Sequence, residues 1–121
     1  MVTSKQNPAS ADDATLEIDD KVWLALSDAS RRHILDLLRQ RSMITRDICE
    51  YFETSRFAIM KHLKVLVESG LVTVERRGRE RINHLNPVPL QMVYRRWIRP
   101  FDQLPADRLL RLKKIAEQGA Q

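Results

Sequence analysis

Residues 55–85 constrain the fold more than any other part of the chain; they read SRFAIMKHLKVLVESGLVTVERRGRERINHL. Apolar residues follow helical spacing at Ile59, Leu63, Leu66 and Val67. Ser55 is placed to cap this helix and Gly70 to end it. Two β-branched runs follow, LVTVE and RINHL, and Gly78 lies between them where a hairpin tip needs a positive φ. The segment therefore predicts an amphipathic helix joined directly to a two-stranded ribbon.

Three helices are predicted before this segment. EIDDKVWLALSD forms a short helix that starts at Asp19 or Asp20 and is interrupted at Ser27. SDASRRHILDLLRQR forms an amphipathic helix that ends near Arg41. Its inner stripe consists of Ile34, Leu35 and Leu38. ITRDICEYF forms a third, short helix with Thr45 as its N-cap.

Two more helices are predicted after the hairpin. NPVPLQMVYRRWI has prolines in its first turn, carries a large apolar stripe and stops before Pro100. ADRLLRLKKIAEQG is helical by pattern and propensity, with Gly119 beyond its end. Its expected inner residues are Leu109, Leu112 and Ile115.

Composition narrows the class of partner. The chain has 121 residues, enough for one domain, and carries a net charge of +5 with a pI near 9.8. The first 20 residues hold one lysine and five acidic residues, so the remainder is more basic still. No run is long enough to span a membrane, no signal peptide is evident, and the single cysteine fits a reducing compartment. We expect a cytoplasmic protein with an anionic partner.

The order helix, turn, helix, hairpin is that of a winged helix-turn-helix, in which the second helix enters the DNA major groove. Residues on the outer side of that helix are the candidates for DNA contact: Ser55, Arg56, Phe57, Met60, Lys61 and Lys64. Arg56 is the first choice for base readout because a guanidinium bonds guanine bidentately. Phe57 and Met60 either cover thymine methyl groups or pad the helix against its own neighbours; both readings stay open. The hairpin adds Arg76, Arg77, Arg79 and Arg81.

The chain resembles the ArsR/SmtB winged-helix repressors over about residues 20–98. The resemblance is carried by LALSDASRRHILDLL, RDICEYFETSRFAIMKHLKVLVESGLV and ERRGRERINHLNP. NPVPLQMVYRRWIRPFD resembles the branch often found beside genes for START-like (SRPBCC) proteins. The family implies a mainly α fold with a small β-hairpin, dimerising through its terminal helices. It also implies a homodimer that binds double-stranded operator DNA near its own promoter and represses transcription until a metal or other signal arrives.

The resemblance places the dimer interface on the first helix and on the helix after the hairpin. The residues concerned are Val22, Trp23, Leu90, Val93, Tyr94 and Trp97. An apolar stripe at the end of a small domain needs a partner surface, although packing against Trp23 within one subunit competes with this reading. We therefore divide the chain into a flexible acidic tail, residues 1–16, and a winged helix-turn-helix domain with C-terminal dimerisation helices, residues 17–118.

Metal sensing does not follow from the resemblance. The family's Cys-x-Cys pair corresponds here to Ile44 and Arg46, and neither can be a ligand. Cys49 alone falls short of a soft metal site, and a buried apolar role suits it better. The histidines, at 33, 62 and 84, lack ligand spacing. We expect no metal, no cofactor and, since enzyme motifs are missing from the sequence, no catalysis.

The sequence thus predicts a sequence-specific DNA-binding regulator, a homodimeric repressor. Two alternatives remain. One is a winged-helix module that binds another protein, with Phe57 and Met60 as anchors. The other is a repressor that responds through Cys49 or a pocket between the dimer helices to a thiol-reactive or hydrophobic effector.

Overall fold

The computed structural model describes residues 19–119, so the tail predicted at residues 1–16 lies outside the described residues. Residues 19–26 are helical (α1). The remaining elements are α2 (Ala29–Gln40), β1 (Met43–Ile44), α3 (Thr45–Cys49), α4 (Arg56–Glu68), β2 (Val72–Arg77), β3 (Glu80–Leu85), α5 (Val88–Val93), a π-helical turn (Tyr94–Ile98), a 3-10 helix (Arg99–Gln103) and α6 (Ala106–Gly119). The described part of α1 begins at Asp19, one of the two positions predicted for its start.

Helices α2 and α4 pack their apolar stripes into the core. Every predicted inner residue of α2 is buried, and so are Ile59, Leu63 and Leu66 of α4. Val67 is the exception: it is exposed, because its position on the helix turns toward the solvent side rather than the core. Gly70 follows α4 with a φ of 83°, which confirms it as the residue that ends the helix.

The hairpin is confirmed, with β2 and β3 paired antiparallel and Gly78 at its tip with a φ of 60°. Within residues 19–119, however, the predicted two-stranded ribbon is part of a sheet with a third strand. Strand β1 pairs antiparallel with the other edge of β3, Met43 opposite Asn83, and gives a three-stranded sheet of order β1-β3-β2. Two residues are too few to show a strand period in sequence, so β1 had no local signal.

The buried amide of Asn83 explains why Thr45 does not serve as the predicted N-cap of α3. Its Nδ2 donates to the Met43 carbonyl (3.2 Å) and to Thr45 Oγ1 (3.0 Å). Thr45 therefore lies inside α3 as a buried residue, and the N-cap position belongs to Ile44, which makes no side-chain capping bond. The threonine hydroxyl accepts a long-range hydrogen bond across the sheet instead of a local one from its own helix.

The described residues divide into two compact units, with the boundary between Gln91 and Met92. The helix after the hairpin is shorter than predicted: α5 ends at Val93, and the π-helical turn and the 3-10 helix continue through Pro100. A proline is tolerated there because it lies in the first turn of the 3-10 helix. Helix α6 includes Gly119. Among residues 19–119, no helix combines the length and apolar character needed to cross a membrane.

Candidate nucleic-acid interface

The outward side of α4 presents a mixed basic and aromatic face. Ser55 Oγ accepts a hydrogen bond from the Ala58 amide at 3.1 Å, which confirms the predicted cap and fixes where the helix begins. Phe57, in the first turn, is 68% exposed. The Lys61 ammonium lies 4.9 Å from the centre of the Phe57 ring, a cation–π distance. Arg56 and Lys64 are also exposed, whereas Met60 is half-buried.

A groove of about 620 Å³ runs beside this face and reaches the hairpin. Its lining includes Phe57, Met60, Lys64 and Val67 of α4, together with Arg81 of β3. The structure thus brings four of the six predicted helix residues, among them Lys61, and one predicted hairpin arginine to a single groove, which Glu68 also lines. Exposed apolar area bordered by cations fits contact with thymine methyl groups and neighbouring phosphates.

The hairpin, hereafter the wing, has one charge-balanced face. Arg77 Nε donates to Glu75 Oε2 at 3.1 Å, and His84 Nε2 lies 2.9 Å from Glu75 Oε1. His84 Nδ1 in turn lies 2.6 Å from Ser42 Oγ. The hydrogen bonds from His84 and then Arg77 hold the pKa of Glu75 below its ordinary value. Arg77, a predicted DNA contact, is thus already engaged with a carboxylate.

The other face of the wing carries unbalanced positive charge. Arg76 and Arg81 stand directly opposite each other across β2 and β3, and side chains paired in this way share one face of the sheet. They line a pocket of about 140 Å³ whose other charged residues are Arg46, Arg56, Arg79 and Glu80. We call it the arginine pocket. Arg46 was not predicted as a site residue, since only the pairing of β1 with β3 brings it near the wing.

Helix α4 is fixed to the preceding helices by polar contacts. Arg31 of α2 donates to the carbonyls of Leu24 and Ala25, both at 2.9 Å, and its NH1 lies 3.2 Å from His62 Nδ1 of α4. Asp28 caps α2 by accepting from the amides of Ser30 and Arg31. The Arg31 amide is the main reason that the pKa of Asp28 lies below its ordinary value. Arg31 thus connects α2 to the end of α1 and to α4.

Comparisons with known proteins agree with this architecture. Residues 28–74 match the family model described as "Bacterial regulatory protein, arsR family". The chain is also 41% identical over 86 residues to YuzN of Bacillus subtilis (strain 168), an uncharacterized HTH-type transcriptional regulator. That alignment covers 65% of this chain and 94% of YuzN. The chain belongs to the ArsR family.

Two further comparisons support the assignment. The transcriptional repressor SdpR of Bacillus subtilis (strain 168) is 38% identical over 72 residues, which are 60% of this chain and 80% of SdpR. The solved ArsR-like transcriptional regulator from Rhodococcus sp. RHA1 superimposes with a TM-score of 0.66 at 31% identity. It covers 85% of this chain and 96% of that one. The fold is the winged helix-turn-helix.

The residues predicted for an ArsR-type dimer interface fall into two groups. Val22 is fully buried and Val93 is 2% exposed in the single chain, so neither has area to offer a second chain. Trp23, Tyr94 and Trp97 are each more than two-fifths exposed, and Leu90 is half-buried. The interface residues stay a prediction, and in the single chain the aromatic residues expose more area than the two valines.

The second unit carries most of the exposed apolar area. The residues expected to be inner in α6 are instead exposed, as are Leu110, Ile98 and Phe101. The prediction for α6 is therefore wrong for the described part of the single chain: its three expected inner residues lie along one side of the helix, and none of them is buried. Within this unit the Tyr94 hydroxyl donates to Asp102 Oδ2 at 3.0 Å, and this carboxylate raises the pKa of Tyr94.

The candidate sensor residues are dispersed. Residues 19–119 contain no group of three or more His, Cys, Asp or Glu side chains that could hold a metal ion. Cys49, a free thiol, is half-buried at the end of α3. The His33 ring packs against Phe52 with centroids 4.8 Å apart, while His62 and His84 belong to the hydrogen-bond networks described above. Each histidine thus has a structural contact of its own.

Proposed function

We propose that this protein is a homodimeric transcriptional repressor that binds operator DNA through α4 and the wing. The observation that carries the proposal is the single surface formed by the outer side of α4 and the adjacent wing. It combines exposed cations with an exposed aromatic ring and lies beside a groove. Catalysis has no support in this arrangement, since ArsR-family proteins and the relatives above are transcriptional regulators.

The parts of this surface have different roles. Arg56 is exposed in the first turn of α4, where a recognition helix meets base edges, and we assign it bidentate contact with guanine. Phe57 and the half-buried Met60 are assigned to thymine methyl groups. Lys61 and Lys64 contact phosphates as compact ammonium charges. Arg79 lies next to the positive-φ Gly78 at the wing tip and reaches the DNA backbone or minor groove.

Dimerisation accounts for the exposed apolar side chains of the second unit. Leu109, Leu112 and Ile115 share one side of α6 and are each close to half-exposed or more. Exposed apolar area of this extent is unfavourable in water, and its burial against a second chain stabilises the protein. A two-fold dimer places two copies of α4 in successive major grooves of a pseudo-palindrome.

Repression, rather than activation, is supported by the similarity to the repressor SdpR.

Fluorescence anisotropy tests the proposal directly. The purified chain is titrated on DNA from upstream of its own gene and on shuffled DNA across a salt series, with sedimentation velocity run in parallel. We expect preferential binding to the upstream DNA, a steep salt dependence and a dimer. Equal binding to both DNAs at every salt concentration would contradict sequence-specific recognition, and a monomer at all concentrations would contradict the dimer.

The exposed ring of Phe57 also favours the second candidate, a module that binds another protein. In that case the arginines serve mainly to keep the surface hydrated. The same titration separates the two functions. A protein-binding module would show no affinity for either DNA even at low salt, whereas electrostatic contact with phosphates gives measurable binding to any duplex under those conditions.

A further inference from the structure

The arginine pocket is lined by five arginines from three separate parts of the fold. Arg46 comes from α3, Arg56 from the first turn of α4, and Arg76, Arg79 and Arg81 from the wing. Among the described residues, Glu80 is the only carboxylate that lines it, and its Oε2 lies 4.0 Å from Arg46 NH2. One carboxylate at that distance leaves a large excess of positive charge in the pocket.

Arg81 has a buried donor that no described residue satisfies. Its Nε is buried, yet it has no hydrogen-bond partner in the part of the chain that the structure describes. Buried N–H groups of this kind are nearly always paired, because leaving one without a partner costs its full desolvation. Arg81 also stands directly opposite Arg76, and like charges in that register repel each other.

Size and chemistry identify the kind of ligand. A pocket of about 140 Å³ is smaller than the sites that take drug-sized molecules, so it suits a single small group. Guanidinium forks match the oxygens of a phosphate bidentately, and several of them surround an oxyanion without competition from one another. A bound anion would also relieve the repulsion between Arg76 and Arg81.

We propose that the arginine pocket binds one phosphate oxyanion and that, in the DNA complex, this oxyanion is a backbone phosphate of the operator. The second clause rests on the proposed function, in which Arg56 contacts guanine and leaves the phosphate to the arginines of α3 and the wing. Arg46 is thereby a phosphate-binding residue. The phosphate joins α3 and the wing, so one contact fixes the orientation of the wing relative to α3.

The oxyanion site is tested first without DNA. The full chain, labelled with ¹⁵N, is titrated with inorganic phosphate at constant ionic strength set with chloride, and amide shifts are followed by NMR. We expect saturable shifts confined to residues 44–46, 56 and 76–81. Arg81→Gln and Arg46→Gln should each weaken this binding at least about tenfold, because each removes a charge-assisted hydrogen bond. Arg41→Gln, at an exposed arginine outside the pocket, should leave it unchanged.

Arg46→Gln guards against a folding artefact, since the Arg46 side chain is 67% exposed and its loss should not unfold the chain. Absence of saturable shifts in the unmodified chain would overturn the oxyanion site. Equal weakening in Arg41→Gln and Arg46→Gln would also overturn it, because the effect would then be one of net charge.

The DNA clause is tested with the same variants. Arg46→Gln should weaken binding to operator DNA and to shuffled DNA by the same factor, and it should lower the slope of the salt dependence by about 1. Bound DNA should also abolish the phosphate-induced shifts. If the unmodified chain binds operator DNA while Arg46→Gln keeps its affinity and salt slope, the source of the phosphate is not DNA and the DNA clause fails, but the proposed function stands. If the unmodified chain binds no DNA, the proposed function fails, and the phosphate titration still decides the oxyanion site.

Discussion

Replacement of Phe57 by alanine tests whether the exposed ring of α4 serves DNA or the fold. A buried aromatic side chain covers about 150–250 Å². Since 68% of Phe57 is exposed, roughly two-thirds of that area is available for DNA to cover, an upper limit of about 3–4 kcal/mol at about 25 cal/mol per Å². A thymine methyl group covers only part of the ring. We therefore expect Phe57→Ala to lose about 1–2 kcal/mol of operator affinity, or about 5- to 30-fold.

The assay compares anisotropy on operator DNA with urea unfolding of the same variant. The free energy of unfolding should fall by less than about 1 kcal/mol, because the ring is mostly in solvent and its contact with Lys61 is exposed. Phe57→Leu keeps an apolar side chain and should retain most of the affinity. A large loss of stability with unchanged DNA affinity would refute the reasoning and show that Phe57 pads the helix.

Three further predictions follow from the described contacts. Asn83→Ala should lower the free energy of unfolding in urea by about 1–3 kcal/mol, because the Met43 carbonyl and the Thr45 hydroxyl lose a buried donor. Unchanged stability would mean that the cost of burying Asn83 Oδ1, which has no partner among the described residues, offsets these two hydrogen bonds. Ile115→Asp should shift sedimentation from dimer to monomer without loss of helix signal, since Ile115 is 57% exposed in the single chain; a persisting dimer would exclude this side of α6 from the interface. Asp28→Asn should make the free energy of unfolding less sensitive to acid. The pKa of Asp28 is lowered in the fold, so the stabilisation from its carboxylate is present above the ordinary value of 3.8 and is lost as the pH falls through the lowered pKa. Asparagine can cap α2 without titrating. Parallel pH profiles of the two proteins would contradict the last prediction.

Local sequence signals predicted α4 and the tip of the wing well. The spacing of Ile59 and Leu63, the cap at Ser55 and the stop at Gly70 gave α4 its bounds, and Gly78 marked the wing tip. Each of these signals depends on residues a few positions apart, such as a hydroxyl reaching an amide three residues on. The side chains on the outer surface of α4 could therefore be named from the sequence, although their contacts with DNA remain proposals.

Burial was predicted less well where a residue contacts distant parts of the chain. Val22 and Val93 lie on apolar stripes, and a stripe shows only that one side of a helix is covered, without showing whether the cover is the same chain or a partner. The apolar side of α6 shows the opposite case, because its residues are exposed in the single chain. A helical period in sequence is identical for a core helix and an interface helix, so it cannot separate them.

By itself the sequence determined the helices, the hairpin and the basic, aromatic character of the surface that follows Ser55. Only the tertiary structure decided that Met43 and Ile44 form a third strand, that Asn83 ties it to Thr45, and that Arg46 therefore meets the wing. The physical reason is distance along the chain. Caps, turns and helical stripes arise between near neighbours, whereas the pairing of β1 with β3 joins residues about forty positions apart and becomes favourable only when the whole core closes around it.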